Sequence, residues 1–193
     1  MSADAIDVSV VVPLLNEEGT LEELVTRIRA TLAPRAERFE IVLVDDGSRD
    51  RTREILRRLE AGDPAVRVFE LTRNFGQAAA VVCGLFAARG EMVVTLDGDL
   101  QNPPEEIPKL LDALEKGADI ATARRSQRYE SFGRWLGSRA IHWMAKHLTD
   151  APIENFGGQV KAYRRTALDA TRRPCAPGKP LFPLALSLSF PVA

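Results

Sequence analysis

The sequence is poor in cysteine, has no excess of positive charge and contains no long apolar run. Its two cysteines, Cys83 and Cys175, lie far apart and match no metal-ligand spacing, which favours a reducing compartment. A formal net charge of −1 argues against nucleic-acid binding, because that function needs a basic surface. No stretch reaches the roughly 18 uninterrupted apolar residues that suggest a membrane span.

One domain accounts for the length of the chain. With 193 residues, of which 45% are apolar, the chain can bury a substantial core, and we expect residues 1–193 to form a single domain. It stops abruptly on a mostly apolar segment, Leu181–Ala193. We therefore expect the natural protein to continue beyond this point.

Short apolar strands alternate with helical patterns. The predicted strands are Val8–Leu15, Phe39–Val44, Val66–Leu71, Glu91–Leu96 and one near Asp119–Ala123. The predicted helices are Leu21–Leu32, Thr52–Glu60, Ala78–Ala88 and Ile107–Leu114. This alternation predicts an α/β fold with a mainly parallel, Rossmann-like sheet flanked by helices. The absence of Gly-x-Gly-x-x-Gly after the first strand argues against a dinucleotide-binding domain.

The pattern changes after about Ser126. From Phe132 to Leu148, apolar residues recur every three or four positions among basic ones, which predicts an amphipathic helix within about residues 130–150. Trp135 and Trp143 on this stripe are more often core residues than membrane-facing ones, although their basic neighbours also suit a membrane surface. Both interpretations stay open at this point.

Polar clusters follow three of the predicted strands. They are Asn16-Glu17, Asp45-Asp46 and Asp97-Gly98-Asp99. In open α/β sheets, ligands bind beyond the carboxyl ends of the strands. The sequence therefore predicts a ligand site where these clusters meet.

The Asp97-Gly98-Asp99 cluster has two interpretations. Two carboxylates one residue apart, directly after a buried strand, are oxygen ligands of the kind that Mg²⁺ or Mn²⁺ prefers, and such an ion bridges a diphosphate. It would neutralise charge on a leaving diphosphate. The alternative is a polar turn in which Asp99 caps a bend, since a short motif of this kind has a high false-positive rate.

The Asp45-Asp46-Gly47-Ser48 turn also has a structural alternative. Asp and Ser side chains accept hydrogen bonds from free amides at helix starts, and capping is the better interpretation for Ser48. For Asp45 we favour hydrogen bonding to the base or ribose of a nucleotide, with Glu17 at the end of the first strand in a similar role.

Two further segments could bind anions. Arg73–Gln77, with Asn74 and Gly76, precedes a helix whose first amides could receive an anion, or it is a simple loop. Arg124, Arg125 and Arg128 follow the fifth strand, where guanidinium groups suit phosphate recognition, although a solvated run of charges is the usual explanation.

Taken together, these clusters resemble family 2 glycosyltransferases of the GT-A fold, in particular the branch that glycosylates polyprenyl phosphates. The matching segments, in order, are VVVPLLNEEGTL, IVLVDDGSRDRT, LTRNFGQAAAV and VVTLDGDLQNPPEEIPKLL. The resemblance extends from about Val8 to Arg165. Each segment alone is weakly specific, whereas the ordered set is highly specific.

The resemblance implies roles for individual residues. In the donor site, Pro13 and Glu17 would line the nucleotide pocket and Asp45 would hold the base or ribose. Asp97 and Asp99 would approach the diphosphate. The remaining implied positions are Asn74, Gly76 and Gly98 for the donor, Gln101 with Asp97 and Asp99 for a divalent cation, and Arg124, Arg125 and Arg134 for the acceptor phosphate.

One departure from the family pattern concerns the catalytic base. The family commonly has an aspartate where this sequence has Asn155, preceded by Glu154. If that aspartate is a base, this chain lacks it, or Glu154 substitutes. A phosphate acceptor is already largely ionised at pH 7, because its second pKa is about 6, and it needs positioning more than deprotonation. The departure thus favours a phosphate acceptor.

The resemblance implies a metal-dependent, inverting transfer of a sugar from a nucleotide diphospho-sugar to a polyprenyl phosphate, and it favours a UDP-sugar as the donor. The cofactor would be Mg²⁺ or Mn²⁺, and the location would be the cytoplasmic face of the cell membrane. Relatives in this branch often continue into membrane helices. Two alternatives stay open: a transferase acting on a glycan or lipid hydroxyl, and a non-catalytic module that binds nucleotide-sugars.

Overall fold

The computed structural model describes residues 5–36, 38–123 and 160–172, with only the backbone of residues 171 and 172. The strands are β1 (Val8–Leu14), β2 (Phe39–Asp45), β3 (Val66–Glu70), β4 (Met92–Thr95), β5 (Ile120–Thr122) and β6 (Lys161–Arg164). The helices are α1 (Leu21–Leu32), α2 (Thr52–Gly62), α3 (Gln77–Ala87), α4 (Ile107–Glu115) and α5 (Arg165–Arg172). A 3-10 turn at Pro104–Glu106 precedes α4.

These strands form one six-stranded sheet in the order β3-β2-β1-β4-β6-β5. The four strands β3, β2, β1 and β4 are mutually parallel, as a chain of alternating strands and right-handed crossover helices requires. The predicted α/β class and mainly parallel sheet are confirmed. Because parallel strands all end at one edge, the loops after β1, β2, β3 and β4 meet there.

The far side of the sheet differs from the predicted pairing. We expected the fifth strand to extend the parallel set, but β5 pairs with β6, which runs antiparallel to it. β6 also runs antiparallel to β4 and so lies between β4 and β5. The reason is that β6 comes from distant sequence, 66 residues beyond its partner in the Thr95–Lys161 pair, and short-range periodicity carries no information on such pairing.

The sheet is buried on both faces, which explains why its strands are continuous apolar runs. All seven residues of β1 are buried. Alternate residues of β1, such as Val10 and Val12, pack against α1 and α4, whereas Val11 packs on the other side with residues of α3 and α5. The molecule therefore has α1, α2 and α4 on one face of the sheet, and α3 and α5 on the other.

Candidate active site

A cavity of about 320 Å³ opens at the carboxyl edge of the parallel strands. This volume lies within the range of small-ligand sites. The residues that line it come from the end of β1, the four loops named above and the first turn of α3: Pro13, Leu14, Leu15, Glu17, Asp46, Asn74, Gly76, Gln77, Asp97, Gly98 and Asp99. The edge of the sheet at which the sequence predicted a ligand site is therefore the edge that carries the cavity.

The loop after β1 and the loop after β2 are bound together by side chain–backbone hydrogen bonds. The amide of Asn16 donates to Ser48 Oγ at 2.8 Å, and the amide of Arg49 donates to Asn16 Oδ1 at 2.9 Å. The amide of Glu17 donates to Thr52 Oγ1 at 2.8 Å. Ser48 was expected to cap a helix, but its hydroxyl instead accepts from this neighbouring loop. Much of the Asn-Glu-Glu and Asp-Gly-Ser pattern is therefore structural.

Glu17 faces the loop after β4. Its carboxylate oxygen Oε2 accepts a hydrogen bond from Thr20 Oγ1 at 2.8 Å, and the same hydroxyl lies 3.1 Å from the carbonyl oxygen of Gly98. A Cβ atom at Gly98 would lie 2.6 Å from Leu14 Cδ2, so a larger residue there would require the Leu14 side chain to shift. Glu17 and the Asp97–Asp99 loop consequently form one wall of the cavity.

Asp45 is fully buried, and its carboxylate is bound within the protein. It accepts from the amide of Ser48 at 3.1 Å and from Arg53 Nε at 2.9 Å. The hydrogen bond to Asp45 raises the pKa of the Arg53 guanidinium. Among the described residues, those lining the cavity include Asp46 and not Asp45. A role for Asp45 in binding a base or ribose stays a prediction.

Asp46 fixes the loop that leads into α3. Its two carboxylate oxygens accept from the amides of Phe75 at 2.7 Å and Gly76 at 2.8 Å. The predicted anion site at this helix start therefore has two of its amides bound to Asp46. Gly47, with φ of 80°, permits the contact, because a Cβ atom there would lie 2.7 Å from the amide nitrogen of Asn74.

The two carboxylates after β4 both line the cavity. Asp97 Oδ1 accepts a hydrogen bond from Gln77 Nε2 at 2.8 Å, which ties this loop to the first residue of α3. Asp99 Oδ1 accepts from the amide of Gln101 at 3.0 Å within its own loop. Leu100, which lies between Asp99 and Gln101, has a φ of 57°. Among the described residues, the other non-glycine residue with a positive φ is Asn16. Backbone strain of this kind clusters at functional sites.

The carboxylates of Asp97 and Asp99 suit a divalent cation whose remaining ligands come from the phosphates of a bound nucleotide. Nowhere in the described ranges do three His, Cys, Asp or Glu side chains converge as a metal site. Mg²⁺ in nucleotide-binding sites needs no such cage, because one or two carboxylates and the substrate phosphates complete its coordination. Asp97 and Asp99 fit that arrangement, whereas Gln101 is exposed and is not among the described lining residues.

Sequence reasoning assigned no individual role to five residues at this site. They are Leu14, Leu15, Asp46 and Gln77, which line the cavity, and Lys161 at the start of β6, whose pKa responds to the charge of Asp97. Asp46 directly follows Asp45 at the end of β2, and that position alone indicated a place at the ligand site. Gln77 belonged to the predicted anion-binding segment Arg73–Gln77, but nothing in the sequence linked Gln77 or Lys161 to Asp97, because only the folded chain brings them together.

Several predicted residues lie outside the described residues. They are Arg124, Arg125, Arg134, Glu154 and Asn155, together with the amphipathic segment of about residues 130–150. The roles predicted for them stay predictions. Within the part of the chain that is described, none of the helices has the length and apolar character needed to cross a bilayer.

Comparison with known proteins identifies a family for most of the chain. Residues 9–171 match the family model described as glycosyl transferase family 2. The chain is 43% identical over 164 residues to the undecaprenyl-phosphate 4-deoxy-4-formamido-L-arabinose transferase of Pseudomonas aeruginosa strain LESB58. It is 45% identical over 165 residues to the protein of the same name from Pseudomonas syringae pv. syringae strain B728a.

Each alignment covers 84% of this chain but only 48% and 49% of the respective relative. The chain thus spans about half the length of the curated relatives that it matches. Among solved structures, the mannosyltransferase PcManGT from Pyrobaculum calidifontis, in complex with GDP-Man and Mn²⁺, superposes with a TM-score of 0.64 at 25% identity. That match covers 87% of this chain and 47% of the solved chain, and the shared architecture is the GT-A fold.

Proposed function

This chain belongs to glycosyl transferase family 2, and we propose that it transfers a sugar from a nucleotide diphospho-sugar to a polyprenyl phosphate. The observation that carries the proposal is the cavity at the carboxyl edge, where Asp97, Asp99 and Glu17 line one space. Such an acidic site repels a diphosphate unless a cation intervenes. The proposal therefore includes Mg²⁺ or Mn²⁺.

The donor would bind with its diphosphate towards the Asp97–Asp99 loop. Asp97 and Asp99, with Gln101 nearby, would hold the divalent cation, which when bound shields the charge that develops on the leaving nucleoside diphosphate. Pro13, Glu17, Asn74, Gly76 and Gly98 would surround the nucleotide and the sugar. All of these residues except Gln101 line the cavity, which supports the assignment.

The positions of the loops would be set before the donor arrives. Asp46 already holds the amides of Phe75 and Gly76, and Gln77 already holds Asp97. Preorganised groups of this kind stabilise a transition state without reorganising during the reaction. The protein's contribution would thus be alignment and charge stabilisation, and the acceptor phosphate would attack the anomeric carbon with inversion.

Two exposed apolar side chains support a lipid acceptor. Leu15, which lines the cavity, is 41% exposed, and Phe75, which lies between the lining residues Asn74 and Gly76, is 51% exposed. An apolar rim beside a charged cavity suits a phosphate carried on a hydrocarbon chain. The names of the relatives specify undecaprenyl phosphate, and we extend that acceptor class to this chain.

The acceptor phosphate would need cations more than a base. A phosphate monoester is largely ionised at pH 7, so Asn155 at the family's aspartate position is compatible with the reaction, and Glu154 need not replace it. Arg124, Arg125 and Arg134 would bind the phosphate. A lipid acceptor also implies that the protein works at the cytoplasmic face of the cell membrane, with the segment of about residues 130–150 facing the lipid.

A transfer assay on the full-length protein tests this function. Purified enzyme would be incubated with undecaprenyl phosphate and a panel of UDP- and GDP-sugars, with Mn²⁺, with Mg²⁺ or with EDTA. We expect transfer of one sugar class, its loss in EDTA, and a decrease of at least about a hundredfold in Asp99→Asn. Asp112→Asn is the matched control, because this carboxylate on α4 is half exposed and pairs with Arg35 away from the cavity.

Three outcomes would contradict the proposal. Transfer to a glycan or lipid hydroxyl but not to the phosphate would indicate the alternative transferase. Nucleotide-sugar binding without transfer or donor hydrolysis, with metal and lipid present, would indicate a non-catalytic module. Full activity of Asp99→Asn would show that the Asp97–Asp99 loop is a polar turn without a catalytic role.

A further inference from the structure

Lys161 is brought to the cavity edge by the topology of the sheet. It is the first residue of β6, and it pairs with Thr95 of β4 on one side and with Thr122 of β5 on the other. Because β6 runs antiparallel to β4, its beginning lies at the edge where β4 ends. Asp97 follows Thr95 by two residues, so Lys161 and Asp97 are neighbours at the same edge.

Strand alternation places the side chains of Thr95 and Lys161 on the same face of the sheet. Val93 of β4 and Tyr163 of β6 are paired, and both pack in the core cluster beneath α3 and α5. Two residues along each strand, Thr95 and Lys161 therefore face the same side. Gln77, the first residue of α3, reaches Asp97 from this side with a hydrogen bond of 2.8 Å.

The charges of Lys161 and Asp97 interact. Burial lowers the pKa of the half-buried Lys161 ammonium, and the negative charge of Asp97 acts in the opposite direction. A charge pair in such surroundings is less screened by solvent than a pair on the surface. Asp97 thus accepts a hydrogen bond from the neutral amide of Gln77 and has the positive charge of Lys161 nearby.

We propose that Lys161 is a positioning residue that holds the Asp97 carboxylate together with Gln77 and supplies a built-in positive charge to the diphosphate site. The inference rests on the proposed function, since it concerns the same cavity. It adds a residue from β6, the strand that the sequence did not predict. Four carboxylates line the cavity, those of Glu17, Asp46, Asp97 and Asp99, so one protein cation changes its electrostatic balance substantially.

This role predicts that removal of Lys161 changes the affinities for Mn²⁺ and for a nucleoside diphosphate in opposite directions. The Lys161 ammonium repels a divalent cation that approaches Asp97, so its removal should tighten Mn²⁺ binding by the nucleotide-free protein. The same ammonium attracts a diphosphate, so its removal should weaken metal-free nucleoside diphosphate binding. A merely structural lysine would not produce this pair of changes, because damage to the fold weakens both.

The experiment compares full-length wild type with Lys161→Met and Lys161→Arg. Mn²⁺ binding would be followed by the electron paramagnetic resonance signal of free Mn²⁺, and UDP and GDP binding by calorimetry in EDTA. In Lys161→Met we expect Mn²⁺ affinity to rise about fivefold and metal-free nucleotide affinity to fall about fivefold, each about 1 kcal/mol. Lys161→Arg keeps the charge and should stay within about twofold of wild type in both.

Lys116→Met is the matched control, because Lys116 is exposed at the end of α4, and we expect no change in either affinity. If Lys161→Met does not fold, Lys161→Gln carries the same test with a polar side chain of similar length. Unchanged affinities, or losses of both ligands together, would overturn the role of Lys161 while leaving the proposed function intact. Failure of wild type to bind any nucleotide, with or without Mn²⁺, would overturn both.

Discussion

Asp46 Oδ2 accepts a hydrogen bond from the backbone amide of Gly76 at 2.8 Å, so the carboxylate after β2 fixes the loop before α3. Its other oxygen accepts from the amide of Phe75. The loop carries Asn74 and Gly76, which line the cavity, and leads directly to Gln77. Order in this part of the site thus depends on a residue that does not itself need to touch the donor.

Asp46→Asn should loosen this loop. The substitution replaces one acceptor oxygen by an amino group that faces a backbone N–H, and each lost acceptor costs about 1–3 kcal/mol of local stability. We expect faster hydrogen exchange at the amides of Phe75 and Gly76, with a rise in donor KM. Asp50→Asn, at a half-buried position of the same loop that accepts from the amides of Glu18 and Thr52, should leave exchange at the Phe75 and Gly76 amides unchanged. Unaltered exchange in Asp46→Asn would contradict the role assigned to Asp46.

Gly47→Ala should destabilise the protein and disturb the cavity. The backbone at Gly47 has φ of 80°, and the new Cβ would lie 2.7 Å from the amide nitrogen of Asn74, a backbone atom that cannot move alone. Left-handed strain and overpacking together predict a loss of about 2–4 kcal/mol in the free energy of unfolding. Chemical denaturation would measure it.

Gly19→Ala provides the control for that loss. Nothing lies within 4 Å of a Cβ atom at Gly19, and its φ is outside the left-handed range. We expect a change within about 0.5 kcal/mol. Equal effects of the two substitutions would show that the contact between Gly47 and Asn74 does not matter for stability.

Glu40 should make stability depend on acid pH. Burial of its carboxylate alone would raise the pKa, but hydrogen bonds from Ser9 Oγ, Arg67 and the amide of Arg89 outweigh burial and lower it. A carboxyl whose pKa is lowered by folding stabilises the protein above its unfolded pKa of about 4.5 and loses that contribution as the pH falls through its folded value. Wild type should therefore begin to lose this contribution below about pH 4.5 and lose more of it as the pH falls through the lowered pKa of Glu40.

Urea denaturation at pH 7 and pH 3 would compare wild type with Glu40→Gln. At pH 7 the variant should be less stable by about 1–3 kcal/mol, because the glutamine cannot accept from all three donors. At pH 3 the difference should shrink. Glu54→Gln, on an exposed surface of α2, should show no such dependence. A pH-independent difference would show that the charge of Glu40 is not what stabilises the protein.

Phe75→Gln should weaken use of the lipid acceptor without affecting the donor. A phenyl ring that becomes buried against a hydrocarbon chain contributes about 1.5–3 kcal/mol, so we expect the KM for undecaprenyl phosphate to rise by about 10- to 100-fold. The KM for the donor and for a short-chain acceptor should not change. Phe86→Gln is the matched control, because Phe86 is 52% exposed, as Phe75 is 51% exposed, but lies at the other end of α3. Equal effects of both variants would contradict an apolar acceptor rim at the cavity.

The location of the site was predictable from the sequence, whereas the contribution of each residue was not. Asp97 and Asp99 follow a buried strand, and parallel strands end at one edge, so the cavity that both residues line lies at that predicted edge. Of the adjacent Asp45 and Asp46, the sequence analysis favoured Asp45 as a ligand-binding residue and gave Asp46 no individual role. In the structure, the buried Asp45 pairs with the partly exposed Arg53, and Asp46 borders the cavity.

The sequence by itself determined the alternation of strands and helices and the edge at which polar loops gather, because both follow from local apolar periodicity and from chain direction. Only the tertiary structure decided that β6 lies between β4 and β5, and that Gln77 and Lys161 approach Asp97. These arrangements join residues 20 and 64 positions away from Asp97, and no local pattern specifies them. They depend on how the whole chain packs, since pairing and burial over such separations are set by the entire core.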